Sequence, residues 1–400
     1  LGRAGRWVQQ QSGPEGFSAF IPAPLPPVPP PDFTPELQRI HEEAVHAVGQ
    51  LEGVSRTMDP DRLLYMYVRK EAVLSSQIEG TRSTLSDLLE YENSTTPGTP
   101  LDDVQEVSRY VAALYHGLGR IQRGELPLSL RLIRELHGVL MREGRGSAQA
   151  PGDFRRTQNW IGGTRPGNAR FVPPPPNEMT AALGNLERFL HDEFGRTAPI
   201  VKAGLAHAQF ETIHPFLDGN GRIGRLLVSL ILGAEGLLTQ PFFYLSLYLK
   251  ENRADYYDAL QRVRTHHDWE GWLHFYLVGV QAVASQAADT ALALRALFEQ
   301  DQQRVLRLGR AAGSALRVYD LLRQRIVLSA PRAAEELGLT WPTVNAALQR
   351  LEGAGIVREV TGRSRDRIYV YARQLELLDA GTRGAATSPH GPPDSAGVPP

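Results

Sequence analysis

Between Glu211 and Leu232 the sequence runs ETIHPFLDGNGRIGRLLVSLIL, and twelve of its residues bring together a histidine, an aspartate, an asparagine between two glycines, and two arginines. An unperturbed histidine titrates near pH 7, so His214 is suited to take a proton from a hydroxyl. Asp218 can lend one carboxylate to a Mg²⁺ ion whose other ligands are phosphate oxygens. Gly219, Asn220 and Gly221 come just before an apolar helix. Unpaired backbone N–H groups and the positive end of the helix dipole therefore gather around one concavity. Arg222 and Arg225 stand one turn apart, and their planar donor forks can address the same phosphate chain. Taken singly, each residue has a plainer reading as a core histidine, a helix cap or a surface charge. Taken in order, they describe a site for a nucleotide triphosphate.

Gly219 to Gly224 also spells G-x-G-x-x-G, the spacing of dinucleotide loops. That loop must leave a buried strand, whereas VKAGLAHAQFETIHPFLD reads as a helix ending at His214-Pro215. No strand follows either, and no acidic residue stands in a strand context about 20 positions on. A redox cofactor is set aside. The chain has only three lysines, Lys70, Lys202 and Lys250, and none lies in a Gly-Lys-Ser/Thr context. Arginines and backbone amides must hold any phosphate.

These residues need elements to carry them. The chain has 400 residues, a formal net charge of -1, 42% hydrophobic and 22% charged residues, which suits two or three globular domains. It has no cysteine, which excludes disulfides, thiolate metal sites and cysteine nucleophiles. Nothing near the start reads as a signal peptide, and no uninterrupted apolar run of about 18 residues is found. A cytoplasmic location and no membrane partner are expected.

The segment 1–33, with its IPAPLPPVPPPDF, is expected to be an extended Pro-rich strap. Helical periodicity then predicts a helical region over 34–110 and a helical core over 111–285, with helices at Thr180–Phe194, Ile200–Ile213, Gly221–Gly233, Ala254–Val263 and Trp269–Gln300. The Gly- and Pro-rich stretch between Gly144 and Glu178 breaks this pattern, and TQNWIGG with ARFVPP can form the two arms of a hairpin. A connecting helix is expected over 286–312. Over 313–375, three helices and a hairpin turning at Gly362–Arg363–Ser364 predict a winged helix-turn-helix. The remainder, 376–400, is expected to be a disordered tail.

HPFLDGNGRIGR, His214 to Arg225, resembles the signature of Fic-domain proteins in full, and the proline strap and SSQIEGT extend the resemblance over about residues 20–285. It implies a mainly α fold, a Fic-type helical bundle with a β-hairpin flap. The implied activity moves AMP from ATP, with Mg²⁺, to a Ser, Thr or Tyr hydroxyl of a target protein or of the chain itself. His214 is then the base, Asp218 holds Mg²⁺, and Asn220 with the amides of Gly219 and Gly221 holds the α- and β-phosphates. Arg222, Ile223 and Gly224 belong to the same nucleotide loop, and Arg225 meets the γ-phosphate. SSQIEG, Ser75 to Gly80, resembles the family's inhibitory motif: Glu79 pairs with Arg225 and occupies the cation that the γ-phosphate needs.

TQNWIGG resembles the family's flap, whose exposed edge would align a target segment by strand addition, with Ile161, Gly162 and Gly163 also covering the nucleotide. A plain surface hairpin is the alternative. KENRADYYDAL resembles the helix that lines the adenine pocket, with Tyr256 stacked on the base and Tyr257 in the core. In the winged helix, Arg358, Arg363, Arg365 and Arg367 load the wing for phosphate contacts, but the recognition helix carries only Arg350 beside Glu352. DNA and a protein partner are both compatible with it, and a homodimer is left open. The competing readings of the whole chain are a DNA-binding regulator whose Fic-like domain senses nucleotide, and an enzyme that removes AMP from modified proteins.

Overall fold

The computed structural model describes residues 2–12, 15–57, 60–93, 101–143, 148–191, 197–239, 243–309, 312–362 and 367–379. The first element departs from expectation. β1 (Gly5–Ser12) pairs antiparallel with β2 (Glu15–Pro22), in register from Gly5 opposite Pro22 to Ser12 opposite Glu15. The strap therefore begins as a hairpin, and only the residues after Pro22 are irregular. Alternation explains it. Phe17 and Ala19 bury one face of β2 with Val172, while Phe20 buries the other against Phe171.

Helices follow in long succession. α1 (Pro35–Ser55) starts at Thr34, whose hydroxyl accepts the Leu37 N–H, and it packs along the length of a much later helix. α2 (Pro60–Ile78), α3 (Leu85–Asn93), α4 (Leu101–Gln122) and α5 (Leu130–Leu140) complete the N-terminal half. Every residue of α2 from Met66 to Ser76 is buried, so this helix is enclosed rather than laid on a surface.

α6 (Pro176–Leu190), α7 (Pro199–Ile213) and α8 (Asn220–Ala234) form the centre. α7 is buried from Ile200 to Ile213 because α6, α8, α10 (Arg253–His266) and α11 (Trp269–Leu306) pack around it; α9 (Ser246–Glu251) precedes them. A helix enclosed on all sides has little amphipathic signal. Its buried polar residues His207, Gln209, Glu211 and Thr212 therefore stand out.

α11 is one helix of 38 residues, so the expected boundary at 285/286 falls inside it and no separate connecting helix exists. By length and composition alone it passes as a membrane-crossing helix, although polar residues interrupt its apolar run and half of its most apolar window is buried. Its apolar positions pack on α1, α7, α9 and α10, and on α12 (Ala312–Arg325). The last elements are β3 (Val327–Ser329), α13 (Ala330–Leu337), α14 (Trp341–Gly353), β4 (Arg358–Glu359), β5 (Ile368–Val370) and α15 (Ala372–Leu378). The three strands form an antiparallel sheet in the order β3-β5-β4. α15 carries regular structure past the expected start of the tail at 376. The wing residues Arg363 and Arg365, and everything after Asp379, lie outside the described residues.

Candidate active site

The site is built on the turn between α7 and α8. α7 stops because His214 takes the left-handed conformation, φ 48° and ψ 62°, and Pro215 follows. The loop after it is braced from both sides. Asn220 closes on Phe216, accepting its N–H and donating to its carbonyl, each at 2.8 Å. His137 accepts the Gly152 N–H at Nδ1 and therefore donates from Nε2 to the Asp218 carbonyl, 3.0 Å away. Its ring lies flat on Phe216, 3.7 Å between centroids. Gly219, at φ 79°, turns the chain into α8. The first intrahelical bond runs from Ile223 N–H to Gly219 O. The N–H groups of Asn220, Gly221 and Arg222 thus precede it at the positive end of α8.

A cavity of about 280 Å³ opens over this helix end. Its lining brings together Glu79, Ile161, Gly162, Gly163, His214, Asp218, Gly219, Asn220, Gly221, Arg222, Arg225 and Tyr256. Glu79, just past the end of α2, reaches Nη2 of the buried Arg225 at 2.6 Å. Ser75 accepts from the same guanidinium at its hydroxyl (2.9 Å) and its carbonyl (3.0 Å). The Glu79 carboxylate also fills the space above Gly221, where a Cβ would collide with it. Burial disfavours both charges, but each stabilises the other. Glu79 is held below the usual carboxylate range and Arg225 above its ordinary value. Gly80 follows at φ 97°, outside the cavity lining.

Several expected residues do other work. Ile223 is fully buried in the core, and Gly224 gives room for Glu211 and accepts from His207 Nδ1 at 2.9 Å; neither lines the cavity. The Asn220 side chain is committed to Phe216, which leaves its backbone N–H for a ligand. Arg222 is buried and paired at 2.7 Å with Glu106 of α4, a partner that lies too far away in sequence for motif reading to find. Both tyrosines line the cavity, at different depths. Tyr256 is buried among His207, Trp272 and Phe275 and hydrogen-bonded to His207 Nε2, and Tyr257 beside it is half-buried.

His214 also departs from expectation. Burial, with the cations of Arg155 and Arg264, pushes its pKa down to about 3, so the imidazole is neutral at pH 7. Glu211, three residues earlier, comes within 4.0 Å of His214 Nδ1, and burial raises its carboxyl to about 7. A carboxyl three residues before the histidine, one turn back on the same helix, was the visible signal for it. Asp218 stands at the rim, 38% exposed. Its two close contacts, from the Gly219 N–H (2.6 Å) and Arg222 (3.4 Å), both use Oδ1. A single carboxylate beside a helix N-terminus fits a Mg²⁺ ion held mainly by the oxygens of a bound phosphate. Among the described residues no cluster of three or more His, Asp or Glu side chains offers an all-protein metal site.

The expected flap is slight. Ile161 and Phe171 exchange both backbone hydrogen bonds, at 2.9 and 3.1 Å, and a short 3-10 turn, Pro166–Asn168, lies between them. The Phe20 N–H donates to the Val172 carbonyl at 2.9 Å, which sets β2 beside the flap.

Models of two families match the chain: the Fic/DOC family N-terminal region over residues 39–119 and the Fic/DOC family over 127–232. Curated proteins called protein adenylyltransferase Fic are similar over 189 residues. That of Drosophila grimshawi is 32% identical and that of Drosophila melanogaster 31%. The similarity covers 46% of this chain and 35% of each relative, so it spans about a third of their length. Among solved structures, a Fic family protein from Desulfovibrio desulfuricans superposes with a TM-score of 0.55 at 22% identity, covering 86% of this chain and 97% of that one. A variant of Fic-1 from C. elegans gives 0.51 at 23% identity, covering 63% and 73%. Both show the same fold.

Proposed function

We propose that this chain, which matches the Fic/DOC family N-terminal region over residues 39–119 and the Fic/DOC family over 127–232, is a protein adenylyltransferase held off by its own Glu79. The observation that carries the proposal is the Glu79–Arg225 pair at the N-terminus of α8, on the same cavity as His214. The relatives' name, protein adenylyltransferase, supports the reaction class.

ATP would place its phosphates over the N–H groups of Asn220, Gly221 and Arg222, with the terminal phosphate on Arg225 once Glu79 has moved. A hydroxyl of the target attacks the α-phosphorus in line. The new O–P bond forms as the bond to the β-phosphate oxygen breaks, the hydroxyl proton passes to His214, and pyrophosphate leaves. His214 enters this step neutral, as a base must. The triphosphate's charge would raise its depressed pKa toward the working range when it binds. Asp218 would hold Mg²⁺, which when bound neutralises phosphate charge. The Ile161–Gly163 edge is the place for an extended target segment to add as a strand.

Incubating the Glu79→Gly chain with ATP and Mg²⁺, followed by peptide mass spectrometry, tests the reading. The added mass of one AMP is expected on a Ser, Thr or Tyr side chain. Unmodified protein after long incubation with ATP bound would reject it.

A further inference from the structure

We propose that Arg155 is a positioning residue that fastens the backbone carrying His214 to both arms of the flap, so that the base and the target-docking edge move as one unit. It rests on the adenylyl-transfer reading for the identity of the reaction, but its geometry stands on Arg155 itself.

Arg155 is 3% exposed, and no carboxylate pairs with it among the described residues. All its contacts are backbone carbonyls. Nε donates to His214 O at 3.0 Å. Nη1 donates to Thr157 O at 3.0 Å, and Nη2 to Pro174 O at 2.6 Å and Ile213 O at 3.4 Å. Its own N–H donates to Pro215 O at 2.9 Å. Thr157 and Pro174 are where the chain enters and leaves the flap, while 213–215 is the turn that sets the base. Asn159 repeats the tie one step into the flap, donating from Nδ2 to His214 O (3.2 Å) and Phe216 O (3.0 Å).

Two features argue against a merely space-filling arginine. A desolvated cation without a counter-charge is costly, and burial lowers the Arg155 pKa to about 10. An apolar side chain would fill the space without that cost. Moreover, His214 sits in a left-handed conformation that a residue with a Cβ holds only when its surroundings impose it. The carbonyl that Arg155 and Asn159 both grip is the one belonging to that residue. A lysine is a point donor on a flexible stem and cannot reproduce a planar fork spanning four carbonyls.

The test uses the full chain in a Glu79→Gly background, with Arg155→Lys, Arg155→Met and Asn159→Ala. Three readings are taken: the rate of AMP transfer, the Kd for ATP, and the titration of the His214 ring by NMR. The charged groups facing His214 are Glu211 on α7, Arg155, Arg264 on α10 and Glu79 at the end of α2. Arg155→Lys should transfer AMP roughly ten- to a hundred-fold more slowly, as expected for a misplaced base. It should leave the Kd unchanged, because the nest and Arg225 are intact. It should also shift the His214 ring resonances while keeping the depressed pKa, since the charge remains. Arg155→Met should raise that pKa as well, and Asn159→Ala should give a smaller loss of rate. Should Arg155→Met fail to fold, Arg155→Lys and Asn159→Ala carry the test. Parental transfer rate and unmoved His214 resonances in Arg155→Lys would overturn the proposal. Should the Glu79→Gly parent transfer nothing, the function reading fails, and the NMR titration still decides the positioning claim.

Discussion

Glu79→Gly should switch transfer on, and the structure sets the scale. Arg225 makes three hydrogen bonds to the end of α2, two of them to Ser75 and one, at 2.6 Å, to Glu79. Removing Glu79 leaves the Ser75 bonds in place, so the guanidinium keeps its position and gains a free donor. A charge-assisted contact of this kind is worth ~1.5–3 kcal/mol. At 1.4 kcal/mol per factor of ten, that predicts an increase of roughly ten- to a hundred-fold in AMP incorporation. Glu79→Gln separates charge from bulk. It keeps the volume above Gly221 and should activate less than glycine does. Arg225→Ala should not activate, because it removes the partner that the terminal phosphate needs. The assay is the initial rate of self-labelling at saturating ATP for the wild type and these three variants. Equal rates for wild type and Glu79→Gly, or activation by Arg225→Ala, would refute the reasoning.

Other expectations are checked separately. His214→Ala should lower transfer by ~10²–10⁴-fold while the Kd for ATP, measured by calorimetry, stays near wild type. Stability should fall as pH drops from 6.5 to 4.5. Burial holds His137, His207 and His214 at about 4, 4 and 3, so each binds its proton only when unfolded in that window. Burial raises Glu71 and Glu211 to about 7, so these keep a proton only when folded and oppose the trend. Burial lowers His41 as well, so the histidines outweigh the two carboxyls. Read from urea unfolding at pH 5 and 6, stability should rise with pH, and Glu71→Gln, which removes one opposing carboxyl, should steepen the rise; a flat profile in both proteins contradicts this. If α14 and the wing bind duplex DNA, Arg350→Gln with Arg367→Gln should reduce the log–log salt slope of binding by ~0.9 for each phosphate no longer neutralised, and no binding at low salt leaves the module a protein-docking unit.

Local chemistry was legible, and remote pairing was not. The ends of α7 and α8 follow from His214-Pro215 and Gly219, because caps and breakers act within a few residues. Glu79 and Arg225 are 146 residues apart and were matched only because each belongs to a motif that the other completes. Glu106, with no motif of its own, was missed as the partner of Arg222, and Arg155 was missed because its partners are carbonyls, which leave no trace in side-chain pattern. β1 was hidden by the polar run GRWVQQQS, one of whose apolar residues, Trp7, stays partly exposed while it packs edge-on against Phe20 and Phe171. How deeply Tyr256 and Tyr257 are each buried depends on which side of α10 faces α11. Two adjacent tyrosines cannot declare that.

The central claim is that Glu79 holds back transfer of the α-phosphoryl group with its adenosine. The most direct test gives the Glu79→Gly chain ATP labelled at the α-phosphate in one tube and at the γ-phosphate in another, and follows released pyrophosphate. The account predicts α-label on protein in step with pyrophosphate, no γ-label, and neither signal once His214→Ala is added. Retention of γ-label would contradict it, as would α-label that persists undiminished without His214.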